Sequence, residues 1–325
     1  MDYLTSFLHY LAFPLYVISS ADSQYYWPTY IGAAITAIAL YVVLKRRRKL
    51  SFRGATQIIL PRRTVMHPST LLDLKLFFFG SYYLLLQIFM VGSMTILTVP
   101  GTVSALNMVL GPAPSPYAPS YLITAITMVL VFLAVEFGYW LSHFMMHKIP
   151  ALWEFHKVHH SAEVLTPLTE WRQHPLELLL FPILTGGASC LVQGPMVWYF
   201  GQEAQIVNPV TANYISMAFW FTILHLRHSE LPFYATGLLG HIIQAPAHHQ
   251  VHHSTNPKHF DKNLGYCLSI FDWLFGTLYV PGKGEKFSFG LGHKDSALET
   301  AIGSMIAPIG RAGALLFQLF KRNLA

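Results

Sequence analysis

Long apolar runs separated by polar stretches organise this chain of 325 residues. Thr29 to Leu44 is the first clear run, and with its flanks it approaches the ~20 residues that cross a bilayer as a helix. Leu72 to Val99 and Tyr121 to Ser142 are further spans by the same measure. Pro100 to Pro119 between them holds five prolines and neither Lys nor Arg, and reads as an external loop. Leu178 to Phe200 and Ile206 to Leu224 form an apolar hairpin, with breaks at Gln193-Gly-Pro195 and Gly201-Gln-Glu203. It either crosses fully or is re-entrant. The first twenty residues suit an interfacial helix or a short span, and lack the basic start and small-residue cleavage site of a signal peptide. The tail, Ala301 to Leu324, is apolar but carries Arg311, Lys321 and Arg322, as a helix lying on lipid headgroups would. The pattern predicts an all-α integral membrane protein with about four transmembrane helices and one domain over residues 1–325.

Composition agrees. The chain is 53% hydrophobic and 11% charged, where soluble domains carry about 25% charge. Five basic residues, Lys45 to Lys49, hold much of the net charge of +6. They follow the first span, so they mark the cytoplasmic side and are no nucleic-acid signal. Two crossings later the chain returns to that side at His143. Cys190 and Cys267 lie in apolar surroundings and read as core fillers.

The polar stretches concentrate histidine. Fourteen of the 17 histidines fall between His143 and His259. His143 and His147 are four apart; His156, His159 and His160 follow at three and four; His249, His252 and His253 repeat that spacing. On a helix such residues share a face, so each cluster can present two or three imidazoles to one point. Neutral imidazole binds iron, zinc, copper and nickel. The supply exceeds the four ligands of a zinc site and suits two ions in a cytoplasmic helical cap.

The spacing H-x-x-x-H, H-x-x-H-H, H-x-x-H-H resembles the fatty acid hydroxylase and sterol desaturase superfamily of membrane di-iron enzymes. The blocks Glu163-Val-Leu-Thr-Pro167, Arg172-Gln-His-Pro175, His228-Ser-Glu-Leu-Pro232, Asp261-Lys-Asn-Leu-Gly265 and Phe271-Asp-Trp-Leu-Phe-Gly-Thr277 extend the resemblance over roughly residues 121–281. The last two most resemble the alkylglycerol monooxygenase-like branch. The resemblance implies two iron ions held by His143, His147, His156, His159, His160, His228, His249, His252 and His253. His225 and His248 are extras; His248 competes with His249 for the ligand role, and His225 is a candidate for holding a ligand from outside. It further implies dioxygen-dependent hydroxylation or desaturation of a lipid, with electrons from an external reductase or carrier, or from a reduced pterin. Phe144 stands where some sterol-acting members have Arg, which weakens transfer of a sterol substrate.

Around the clusters, Glu136 is an ionisable residue within a span and shares a stripe with Trp140, His143 and His147. It is expected to hydrogen-bond a ligating imidazole. His174, Asp261 and Asn263 are candidates for the same supporting role, with His174 also a possible ligand. No G-x-G-x-x-G fingerprint is present. A membrane zinc protein is the competing reading, although H-E-x-x-H is absent; a lipid-binding relative without activity is a third.

Overall fold

The computed structural model describes residues 12–20, 23, 25–44, 51–59, 61–113, 119–204, 214–231 and 233–324. The helices are α1 Phe13–Ser19, α2 Trp27–Leu44, α3 Phe52–Ile59, α4 Arg62–Val65, α5 Pro68–Leu110, α6 Ser120–Lys148, α7 Pro150–His160, α8 Glu177–Phe200, α9 Tyr214–Trp220, α10 Gly237–Ile242, α11 Pro246–His252, α12 Ile270–Leu274 and α13 Ala301–Leu324. Strand pairing among the described residues is limited to the isolated bridges Ile243–Leu268 and Ser254–Phe289. Four helices, α5, α6, α8 and α13, are long and apolar enough to cross a membrane. An all-helical membrane architecture with histidine groups at one end is what the apolar pattern predicted.

The helices α5, α6 and α8 pack together and carry the cap. With almost no polar side chains available, they associate by close backbone approach. Gly138 of α6 lies so near α8 that a Cβ there would stand 2.6 Å from the Leu184 carbonyl oxygen. Asp73, near the start of α5, is buried and pairs with Arg172 at 2.8 Å beneath the cap. The start of α5, the end of α6 and the start of α8 therefore meet on the cap side. At the other end Val99, Ile123, Val197 and Ala204 pack as one cluster, so α8 packs against both α5 and α6 at this end as well.

Several elements differ from the sequence reading. The helix α5 continues through Pro100 to Leu110, where an external loop was expected from residue 100. At 43 residues it is about 65 Å long, twice a ~30 Å hydrocarbon core. One internal proline removes one backbone donor, too little to end so long a helix. The helix α2 is not among the four candidate spans. Thr29 is hydrogen-bonded by His225, and Ala33 and Ala37 pack with Leu226 and Phe233, so α2 lies along cap residues over most of its length. The return limb of the hairpin contains only the seven-residue α9 among described residues; 205–213 lie outside them, as do residues 1–11 and Lys45 to Lys49. In α13, Arg311 at mid-helix bonds Asp295 at 2.6 and 3.0 Å, and Ala312 packs with Ala151 and Phe155 of α7. This helix turns Arg311 and Ala312 to the cap, and it is also long and apolar enough to cross a membrane, where the sequence suggested an interfacial helix.

Candidate metal centre

Three helices deliver the histidines. The last two turns of α6 carry His143 and His147; α7, opened by Pro150 at its first position, carries His156, His159 and His160. The helix α11, opened by Pro246, carries His249 and His252, with His253 at its C-terminus. His228 follows the 3-10 turn Leu224–Leu226. Proline is pre-organised for a first helical position, so both short helices start where their histidines need them.

The nine histidines form two groups. His143, His147, His156, His160 and His252 form one; His159, His228, His249 and His253 form the other. Within each, one nitrogen per ring lies within 4.8 Å of all the others. The groups do not follow the sequence clusters. Each H-x-x-H-H is divided: the histidines four apart stay together, and the middle one, at i+3, joins the other group. At about 100° per residue, i+4 lies about 40° from i, whereas i+3 lies about 60° away on the other side. His159 and His252 therefore cross over. The groups adjoin, with the rings of His160 and His253 stacked at 4.6 Å.

The inner nitrogens crowd one another: 2.9 Å for Nε2 of His143 and His156, 3.2 Å for His156 and His160, 3.1 Å for His159 and His228, 2.8 Å for His228 and His249, and 3.2 Å for His249 and His253. Nε2 of His147 and of His252 is buried and without a hydrogen-bond partner. Around an ion with nitrogen ligands at about 2.0–2.1 Å, neighbouring nitrogens stand about 3 Å apart, so the residues fit a cation at each point.

The outer nitrogens explain why the inner ones are free to bind. Nδ1 of His143 donates to the Leu264 carbonyl at 2.8 Å, and Nδ1 of His252 to the Lys262 carbonyl at 3.0 Å. A carbonyl only accepts, so both rings carry their proton on Nδ1 and turn a lone pair inward. His156 Nδ1 contacts Glu177 Oε1 at 2.9 Å, His147 Nδ1 contacts Asp261 Oδ1 at 3.2 Å, and His228 Nδ1 contacts Glu170 Oε2 at 2.9 Å. The hydrogen bond to His147 holds Asp261 down at about 2, against burial and with help from Lys148. Burial pushes Glu170 up, but Arg227 and His228 outweigh it and keep the carboxyl well below its ordinary range. Burial also holds His159, His160, His249, His252 and His253 far below the ordinary histidine range, and His228 below it despite Glu170. Neutral imidazole is the form that binds metal.

The supporting residues are partly those expected. Asp261 meets a ring, as anticipated. Glu136 does not: it accepts the backbone N–H groups of Cys267 and Leu268 at 2.8–3.2 Å. It shapes the loop whose Leu264 carbonyl holds His143. A carboxylate in an apolar span takes the nearest donors, and here those are loose backbone groups of that loop. His174 belongs to neither group; its Nε2 donates to the Met305 carbonyl at 2.9 Å, tying α8 to α13. Asn263, at positive φ, bonds the backbone of His248 and Tyr279 and touches no ligand ring. His248 is buried outside both groups, and His225 bonds Thr29. The partners that sequence reasoning passed over are Glu170 and Glu177. Only their place in the polar stretch after the second cluster marked them, and nothing in the order of the chain pairs them with His228 and His156. Trp153 covers His147 and His160 from one side, at 5.1 and 5.2 Å between ring centroids.

Fold and site together define a helical membrane protein with two adjoining histidine groups that could each hold a metal ion. Residues 128–277 match the model of the family described as fatty acid hydroxylase. The superfamily that the histidine spacing resembled is therefore the one the comparison finds. The alkylglycerol monooxygenase of Xenopus tropicalis is 32% identical over 170 residues, 52% of this chain and 34% of that protein. The human alkylglycerol monooxygenase is 30% identical over 168 residues, again 52% and 34%. The ornithine lipid hydroxylase of Rhizobium tropici is 26% identical over 192 residues, 58% and 52%. The matched region thus spans about a third of the alkylglycerol monooxygenases and about half of the ornithine lipid hydroxylase. No solved structure matches the chain at a significant level.

Proposed function

We propose that this protein is a membrane-bound non-haem iron enzyme that uses dioxygen and external electrons to hydroxylate an unactivated C–H bond of a lipid. One observation carries the proposal: nine imidazoles converge in two groups, and His143 and His252 hold their protons outward on backbone carbonyls and turn lone pairs inward. Two iron ions held there by the nine histidines would supply dioxygen reduction and removal of hydrogen from the C–H bond. The chain supplies the rest. Leu264, Lys262, Glu177, Asp261 and Glu170 hold Nδ1 of His143, His252, His156, His147 and His228 and so aim their Nε2 atoms. Burial of both groups excludes water from the reacting region. The site lies at the ends of α5, α6 and α8, where an acyl or alkyl chain in the bilayer comes within reach of it.

The printed activities of the relatives, an alkylglycerol monooxygenase and an ornithine lipid hydroxylase, support a lipid substrate. Electrons come from a separate reductase or carrier, or from a reduced pterin, as the family resemblance of the sequence implies. The cap faces the cytoplasm, the side that Lys45 to Lys49 mark by charge. Glu136 and Asn263 act at a distance, by fixing the loop 263–268 behind His143.

The test is iron and zinc per chain in detergent-purified protein, for wild type and His252→Ala, with oxygen-dependent lipid product measured alongside. About two metals, lost in part in the variant, together with an alcohol product, support the proposal. An alkene product would assign a desaturase on the same site. One metal or none, unchanged by the variant and by ferrous reconstitution, would remove the iron reading.

A further inference from the structure

The loop that follows the third histidine cluster ends in an exposed apolar tip. Trp273, Leu274 and Phe275 are consecutive and are 53%, 66% and 54% exposed. Leu238 and Leu239 of α10, 69% and 54% exposed, extend the patch, since the His241 ring of α10 meets Trp273 at 5.2 Å. Three adjacent large apolar side chains facing water are unusual on a folded surface and mark a contact.

The tip is rigid, so it does not fold away. Asp272 is fully buried. Its carboxylate accepts the N–H groups of Leu264 and Gly265 at 2.8 and 2.9 Å and the Thr277 hydroxyl at 2.6 Å. The Thr277 N–H closes the loop on the Asp272 carbonyl at 2.8 Å. Gly276, at φ +75°, turns the chain back just after Phe275, a conformation that costs glycine little. The scaffold presents the three side chains outward.

Their depth identifies what they meet. Phe275 stacks on Trp140 at 4.4 Å, and Phe271 and Phe275 meet Phe137 at 5.5 and 6.2 Å. Trp140 and Phe137 lie on α6 three and six residues before His143. At 1.5 Å per residue they are about 4.5 and about 9 Å toward the bilayer from it. The tip thus packs beside a membrane helix below the level of the metal groups, and its apolar surface is continuous with the flank of that helix. Lys262 sits at the rim, its ammonium on the Gly276 carbonyl at 3.1 Å, with Lys258 exposed nearby. Cations at headgroup level above buried apolar side chains, with a tryptophan among them, are the pattern of an interfacial anchor.

We propose that Leu238, Leu239, Trp273, Leu274 and Phe275 insert into the membrane leaflet that α6 enters from the cap. They anchor the cap against the acyl region and seat the metal groups at the lipid surface. The proposal rests on α6 crossing the bilayer, and the experiment separates the two.

Leu274→Cys, Val129→Cys and Lys283→Cys are made singly in the full chain, labelled with an environment-sensitive fluorophore and reconstituted in phosphatidylcholine vesicles. Val129 is an exposed residue on the flank of α6, and Lys283 an exposed residue of the cap. Both native cysteines are buried, and identically treated wild type reports any background. Quenching by acyl-chain nitroxide lipid is compared with quenching by an aqueous nickel chelate. The expected result is blue-shifted emission at 274, quenched at least about threefold more by the lipid than by the chelate, as at 129, with the reverse at 283. A label at 274 that behaves like the one at 283, while 129 is lipid-quenched, overturns the anchor and leaves α6 in the membrane. Aqueous behaviour at both 274 and 129 overturns both. Lipid quenching at 283 equal to that at 274 overturns the assignment of the anchor to this patch.

Discussion

Replacing Glu177 by alanine isolates the hold on one ligand. Glu177 is fully buried, and its Oε1 lies 2.9 Å from Nδ1 of His156. Without it, nothing described fixes which nitrogen of His156 carries the proton, and the ring can turn its N–H inward. Removing such an outer partner weakens metal affinity about 10–100-fold, or about 1.4–2.7 kcal/mol. Only the group of His143, His147, His156, His160 and His252 contains His156. One ion per chain should therefore be lost to a chelator at much lower concentration than in wild type, while the other is retained. Glu177→Gln keeps an oxygen that accepts from Nδ1 and should recover most of the loss. The assay is metal content after dialysis against graded chelator, with thermal unfolding in detergent as the control for folding. Wild-type retention in Glu177→Ala, or equal loss of both ions in a protein that still folds, would refute the reasoning.

Other consequences can be measured in the same preparations. In the second group only His228 has a described partner on Nδ1, while Nδ1 of His159, His249 and His253 has none; chelation of wild type should empty this group first, and simultaneous loss would count against it. Arg227 donates to both oxygens of Glu170 at 3.1 Å, so Arg227→Met removes the cation from a buried carboxylate that then keeps only His228 and should cost up to about 3–5 kcal/mol, read as a lowered unfolding midpoint that Arg227→Lys partly restores. The metal-free protein should lose stability as pH falls below about 6.5, because unfolded histidines then bind protons that His159, His160, His228, His249, His252 and His253 refuse in the fold. The slope is up to about 1.4 kcal/mol per pH unit for each histidine, and a midpoint flat from pH 7 to about 5.5 would contradict it. Gly138→Ala places a Cβ 2.6 Å from the Leu184 carbonyl and 2.7 Å from Thr185 Cα, so α6 and α8 must separate, at about 1–3 kcal/mol; an unchanged unfolding midpoint would show that the contact yields freely.

Sequence alone determined the membrane character, the helical class and the nine histidines, because hydropathy and i, i+3, i+4 spacing are local properties of a chain. It offered Asp261 and Asn263 alike as partners for the histidines, and the fold brings only Asp261 to a ring, that of His147. Tertiary structure decided how the histidines are shared. The middle histidine of each H-x-x-H-H, at i+3, points away from the other two, and only the tertiary placement of α7 and α11 gives His159 and His252 their places in the opposite groups. The roles of Glu170 and Glu177 were likewise invisible in order, since 58 residues separate Glu170 from His228 and 21 separate Glu177 from His156. Glu136 looked like a partner for imidazole because it lies on the stripe of His143 on α6. The fold brings Cys267 and Leu268 nearer, and a buried carboxylate bonds the donors it actually meets.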